Sequence, residues 1–159
     1  MKKLTFDTDN IGGLHVLYAI PPSAFTLGYD YGTRKYTLAV PDATDVVMIE
    51  TFADGTYTFG ESHGRDEHGD WWQPTIAGQI PKQSQANAVV METLERGQWV
   101  VLSKDNNGVL RLAGDMDTPL TFSTEASTGA LATDMNATSF TFTGKLGKPS
   151  PVIDTVTGI

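Results

Sequence analysis

The sequence predicts a mainly β protein, an antiparallel β-sandwich or barrel with one flanking α-helix. Three observations lead there. Thr, Val, Tyr, Phe and Trp recur in short runs that alternate apolar and polar residues, as a pleated, half-buried surface requires. Turn-forming clusters separate these runs at short intervals. One convincing helical segment stands among them, Gln83 to Arg96, with apolar residues at helical spacing.

Each element has its own signal. Leu14, Val16, Tyr18 and Ile20 alternate with His15, Leu17 and Ala19, which predicts a strand buried mainly on one face, with His15 on the surface. Pro21-Pro22 ends it. Ser23 to Arg34 contains Gly28, Asp30 and Gly32 and predicts a loop or irregular edge. Tyr36, Leu38 and Val40 give a second strand, and Val46 to Ile49 a third. Asp54-Gly55 is a hairpin signal, so Val46 to Phe52 is expected to pair with Thr56 to Phe59. Extended structure resumes from Trp71 to Ile80. In the helix, Ser84 is placed to cap the start, and Ala86, Val89, Val90 and Leu94 form its apolar stripe. Gly97 is placed to end it in a left-handed conformation.

Trp99 to Ser103 is apolar on both faces. Asp105-Asn106-Asn107-Gly108 is the clearest turn, and Leu110 and Leu112 return antiparallel from it. Leu120 and Phe122 mark another strand. Ser127 to Asn136 is small and polar, hence a loop. Phe140 and Phe142 alternate with Ser139, Thr141 and Thr143 in a last strand. One hydrophobic core is expected to hold Trp99, Leu110, Leu112, Phe140 and Phe142. The chain has 159 residues, 40% hydrophobic and 19% charged, enough for one domain with a sizeable core. Residues 1–148 are expected as that domain and 149–159 as a flexible C-terminal tail.

Composition also excludes functions. The formal net charge is -8, and nucleic-acid affinity depends on Lys and Arg releasing counterions, so specific nucleic-acid binding is not expected. The absence of cysteine removes disulfides, thiolate metal sites and Cys nucleophiles. Met1-Lys2-Lys3 starts as a signal peptide does, but Thr5, Asp7, Thr8, Asp9 and Asn10 follow in place of an apolar core. No apolar run approaches membrane-spanning length, and no membrane partner is expected.

One stretch invites chemistry. GESHGRDEHGD, Gly60 to Asp70, holds two of the three histidines and spells G-x-S-x-G across Gly60 to Gly64. A nucleophile elbow needs a strand before the Ser and a helix directly after it. Here Arg65-Asp66-Glu67-His68-Gly69-Asp70 follows, which argues against a serine hydrolase. His63, Asp66, His68 and Asp70 are metal-ligand types, but the five-residue histidine spacing suits neither one strand face nor one helix turn. The expected reading is a charged surface or inter-subunit loop. Asp105 to Gly108 does not complete a calcium loop, since Gly114 stands where the bidentate Glu belongs. No nucleophile, base and orienting group assemble, so no catalytic, cofactor-binding or metal residue is assigned and no enzyme activity is expected.

The second half carries a resemblance. After the helix come Gly97-Gln98-Trp99-Val100-Val101-Leu102, the Asp105-Asn106-Asn107-Gly108 turn, and Leu110-Arg111-Leu112-Ala113-Gly114. Thr128-Gly129-Ala130, Asp134-Met135-Asn136 and Ser139-Phe140-Thr141-Phe142-Thr143-Gly144 complete the series. This order resembles small tail-tube-like structural proteins of temperate tailed phages. The resemblance covers about residues 80 to 148, and the first half has no counterpart in it. It implies a β-sandwich or barrel with one flanking helix, stacked as rings around a DNA channel, with no active site. The partners implied are the chain itself and other virion proteins. The locations implied are the virion and, before assembly, the bacterial cytoplasm.

Two other readings stand beside it. One is a small carbohydrate- or ligand-binding β-sandwich presenting Trp71 or Trp72. The other is a metal-dependent β-barrel enzyme using His63 and His68. Replacing both histidines by Ala is expected to change stability by no more than about 0.5 kcal/mol in a denaturant melt, the range of exposed substitutions. A stoichiometric metal lost on that replacement would support the metal reading instead.

Overall fold

A computed structural model describes residues 11–51, 57–67, 69–81, 84–127 and 137–159. Among these, the chain forms strands β1 (Leu14–Ile20), β2 (Thr26–Asp30), β3 (Lys35–Ala39), β4 (Val47–Glu50), β5 (Thr58–Asp66) and β6 (Gly69–Pro81). Helix α1 (Gln85–Arg96) follows. Then come β7 (Gln98–Asp105), β8 (Leu110–Ala113), β9 (Leu120–Ser127), β10 (Ala137–Thr143), β11 (Val152–Ile153) and β12 (Thr155–Thr157). The protein is mainly β, with antiparallel pairing throughout except β12 beside β3, and it is a sandwich with no closed barrel. No helix among the described residues is long and apolar enough to cross a membrane.

β7 organises the layers. Residues 100–105 pair with β1, residues 101–104 pair with β8, and Gln98 and Trp99 pair with β9. The central sheet therefore runs β4-β1-β7-β8-β11, and a second sheet, β9-β10-β6-β5, branches from the start of β7. Leu17, Ala19 and Val101 of the central sheet meet Ile76, Phe140 and Phe142 of the branch in one core. On the other face Ile20, Val100, Leu102 and Leu112 meet Leu38 of the small sheet β12-β3-β2 and Val40 just after β3. The central sheet is covered on both sides, which is why β7 reads as apolar on both faces.

The layering revises several expectations. β1 is buried on both faces: Leu17 and Ala19 are as inaccessible as Ile20. A bulge between Leu14 and Val16 breaks the alternation and sends Leu14 to the same core as Leu17, while His15 stays exposed. The expected single core is two. Trp99, Phe140 and Phe142 lie in the first, whereas Leu112 lies in the second and Leu110 packs against it. The hairpin register causes this, since Leu112 faces Leu102, one residue out of phase with Trp99 and Val101.

Among the described residues β4 and β5 do not pair as the hairpin expected across Asp54-Gly55 would require. β4 pairs with β1 in the central sheet, while β5 pairs with β6 in the branch, so the chain changes layer between them. Asp54-Gly55 itself lies outside the described residues, as does most of Ser127 to Asn136. Ser23 to Arg34 is more ordered than expected: β2 is an edge strand against β3. Residues 149–159, expected as a flexible tail, supply two strands. β11 pairs with β8, β12 with β3, and Ile153 is buried. The Ser150 backbone N–H also donates to the Glu61 carboxylate at 2.9 Å.

Helix α1 is capped as expected, with Ser84 Oγ accepting from the Asn87 N–H. Two expectations fail there. Gly97 is extended (φ -99°, ψ 173°) because β7 starts at once. Its glycine is needed for another reason: a Cβ would meet the Trp99 indole at 2.7 Å, and that indole Nε1 donates to the Leu94 carbonyl at 2.8 Å. The apolar stripe is only partly used, since Leu94 is buried while Val89 and Val90 are exposed.

The β8–β9 connection is tied by one carboxylate. Asp115 Oδ1 accepts from the Thr118 N–H at 2.7 Å and its hydroxyl at 2.8 Å, and Lys148 Nζ lies 3.2 Å from Oδ2. Partial burial pushes the Asp115 pKa up, but the Thr118 bonds and Lys148 outweigh it and hold it below the ordinary carboxylate value. A depressed folded pKa adds stability above the unfolded pKa, and that stability is lost as pH falls through the folded one. Asp115→Asn is therefore expected to reduce stability at neutral pH and to flatten its decline below the carboxylate range. Denaturant melts across the acid limb check this, and an unchanged slope would count against it.

Candidate functional site

The stretch from Gly60 to Asp70 is not a loop. It is the paired outer half of a two-stranded ribbon, with a tight turn where Asp66 meets Gly69 at φ +124°. β10 covers β6 only from Thr75 to Pro81, so residues 69–74 extend past the main sheet with β5 alone as their paired strand. A single bridge, Trp72 to Leu146, braces the ribbon on its other side. Its residues are polar on both faces because both faces meet water, which hides the alternation that marks a strand.

Alternation along this ribbon separates the groups that the sequence brought together. His63 and Arg65 share a face with Asp70, at 3.4 Å each from its Oδ1. Asp66 turns to the opposite face and pairs with Lys145 Nζ at 3.4 Å. The His63 ring packs on Trp72, centroids 4.8 Å apart. His68 lies outside the described residues. Among the described residues no three His, Asp or Glu side chains converge as metal ligands do. Ser62 sits mid-strand, with Gly64 continuing the strand where an elbow would start a helix.

The two tryptophans point to opposite faces, as extended chain requires, because Trp71 pairs with Gly64 and Trp72 with His63. Neither presents an open platform. The Trp71 ring lies directly on the Gly64 backbone, where any Cβ would collide with it, and Lys145 Nζ stands 4.7 Å from the ring centroid. Trp72 packs against the core and carries His63. Gly64→Ala is expected to displace Trp71 and destabilise the ribbon by about 1–3 kcal/mol, an overpacking cost. Tryptophan fluorescence and a denaturant melt read both effects, and an unchanged emission spectrum would refute the stacking.

Sequence reasoning missed two surface features. The β2–β3 hairpin displays a tyrosine cluster: Tyr29 packs edge-on against Tyr31 at 5.0 Å and against Tyr36 at 4.6 Å, and Tyr31 is 86% exposed. The G-Y-D-Y-G-T-R-K-Y run is its sequence signal, masked by glycines that read as a loop. The second is an apolar groove of about 240 Å3 between α1 and β4, which is an edge strand among the described residues; Val47, Ile80, Val90, Met91 and Leu94 line it. Unburied helix positions are visible only once packing is known.

A larger cleft of about 330 Å3 lies where Gly12 and Gly13 approach the β7–β8 turn. Arg111 spans it with its guanidinium 5.2 Å from the Phe59 ring centroid, and Asn106 and Asn107 anchor the turn to Gly12 and Ile11. These bonds close the molecule on itself and bring no acid, base and nucleophile together. No protein-family model, curated protein or solved structure shows significant similarity to the chain.

Proposed function

We propose that the protein is a non-enzymatic structural subunit that self-assembles, in rings, as part of a phage tail. The observation that carries this reading is the edge of β5, which no other strand among the described residues covers. Nine residues long, β5 ends its sheet and, among the described residues, pairs only with β6. Sheets that stay monomeric shorten or cover such edges, as β11 and β12 do here with two and three residues. β5 instead projects as part of a ribbon whose rigidity comes from Trp71 stacked on Gly64. Three further features support it: the likeness of residues 80 to 148 to tail-tube-like proteins, a layered β-sandwich with one flanking helix, and a net charge of -8 that keeps a channel wall from holding DNA.

The test is mass in solution across concentration, followed by electron microscopy of the particles. Rings or stacked rings that grow with concentration are expected. A protein that stays monomeric at high concentration beside its virion partners, or that turns over a substrate, would end this reading. Deleting residues 149–159 is not a clean probe of assembly, since β11 and β12 complete two sheets; that deletion is expected to unfold the protein.

A further inference from the structure

We infer that Asn107 is a site of spontaneous modification: the Gly108 backbone nitrogen expels its side-chain amide as ammonia, and the contact of that amide with Ile11 sets the rate. The inference stands apart from the self-assembly reading and holds for a single copy of the chain.

The chemistry needs an asparagine, a following residue with no side chain, and room. Asn107-Gly108 is the one Asn-Gly pair in the sequence. Both residues are exposed in the β7–β8 turn, and Gly108 takes φ +83°, where even an added Cβ would meet nothing within 4 Å. No bulk therefore shields its nitrogen. Once that nitrogen has lost its proton to hydroxide, it attacks Asn107 Cγ. The new bond closes a cyclic imide, the Cγ–Nδ2 bond breaks, and the leaving nitrogen takes a proton from water and departs as ammonia. Water then opens the imide. Opening at Cγ gives aspartate, and opening at the main-chain carbonyl gives isoaspartate, with the chain rerouted through the side chain. An amide and water become an acid and ammonia, so no oxidant or reductant is needed.

Hydrogen bonds guard the site where bulk does not. The planar Asn107 amide lies along the main chain of Ile11, with Oδ1 accepting from its N–H at 2.9 Å and Nδ2 donating to its carbonyl at 2.9 Å. Attack makes Cγ tetrahedral, and an amide held at both ends resists that change. The nucleophile is held as well. The Gly108 N–H donates to the Asp105 carbonyl at 3.0 Å, a bond that must open before the proton can leave.

The latch is also built to open locally. Ile11 is 61% exposed, and Gly12 beside it has open space where a side chain would stand. Asn106 Nδ2 adds a bond to the Gly12 carbonyl at 2.7 Å. A segment held by exposed hydrogen bonds and little apolar surface opens without global unfolding. The reaction runs through those openings, and it runs one way. An acid at position 107 has no N–H for the Ile11 carbonyl and sets a carboxylate against it, so the latch does not re-form. One more negative charge joins a net charge of -8. Ile11 and Arg111 line the same cleft, so its wall loosens with the latch.

Ageing the full chain at mildly alkaline pH, folded and in urea, tests this. Peptide mapping by mass and chromatography reads conversion at Asn107 and separates aspartate from isoaspartate. Two variants are aged beside wild type: Ile11→Pro, which removes the N–H donated to Oδ1, and Asn106→Ala, which removes the bond to the Gly12 carbonyl. Circular dichroism checks that each is folded. Folded wild type is expected to convert about tenfold or more slowly than the chain in urea, and faster as pH rises. Folded Ile11→Pro is expected to recover most of that difference, and Asn106→Ala part of it. Folded wild type that converts as fast as the chain in urea would show that nothing guards the site and overturn the inference. Two folded variants as slow as wild type would also overturn it, since the contact with Ile11 would then not set the rate. No conversion at Asn107 in either state would remove the site itself.

Discussion

Phe142→Ala is expected to destabilise the protein by about 3–5 kcal/mol, the cost of emptying a fully buried aromatic site. Phe142 is inaccessible to solvent and sits in β10, between β9 and β6. Phe122 on β9 and Ile76 on β6 flank it, and its ring meets Phe122 at 4.7 Å and Phe140 at 5.9 Å between centroids. The site is walled by two neighbouring strands and by the central sheet opposite, so little can move in to fill the void. Urea unfolding of the variant against wild type measures the loss. A change well under about 1 kcal/mol would show that the branch sheet does not face the central sheet through this side chain.

Trp99→Ala is expected to cost a similar amount, about 3–5 kcal/mol, and to do something Phe142→Ala does not. Trp99 is the joint of three elements. Its backbone pairs with Leu120 of β9, its ring packs in the first core over Gly97, and its indole N–H donates to the Leu94 carbonyl at the end of α1. Few other side chains hold the helix, since Leu94 is the one buried residue along it. Loss of the indole is therefore expected to loosen α1 before the sheets melt, seen as an early loss of helical circular dichroism. Trp99→Phe separates the parts: it keeps most of the ring and removes the hydrogen bond, for about 1 kcal/mol. Equal losses in the two variants would mean that the ring contributes nothing beyond its N–H.

The same residues show how much of this architecture the sequence carried. β7 was legible as a strand buried on both faces because Trp99, Val100, Val101 and Leu102 leave no polar side. The Asp105-to-Gly108 turn was legible because its hydrogen bonds are local: Asp105 Oδ1 accepts from the N–H groups of Asn107 and Val109. Strand pairing was not legible. Asp54-Gly55 is a valid turn signal, yet β4 finds β1 and β5 finds β6, since contacts far apart in sequence decide which sheet a strand joins. The phase of β1 escaped for a similar reason, because its bulge at His15 is set by the partner strand β7.

The candidate site was misread by the same logic in reverse. Gly60 to Asp70 lacks apolar alternation because its own side chains mostly meet water, yet its ladder with β6 and the ring of Trp71 on Gly64 hold it extended. Composition could show the ligand-type residues there but not that strand geometry sends Asp66 and His63 to opposite sides.

The parallel pairing of β12 with β3 also dictates an order of events at the ribosome. Tyr36 and Asp154, joined by hydrogen bonds in both directions, are 118 residues apart in the chain. During synthesis the second core, with Ile20, Leu38 and Val40 on the emerging side, lacks Ile153 until the long stretch of chain between Val40 and Ile153 has been made. Closing so long a loop is slow, and apolar surface stays bare meanwhile. The outer layer that bears the tyrosine hairpin is thus the last to lock.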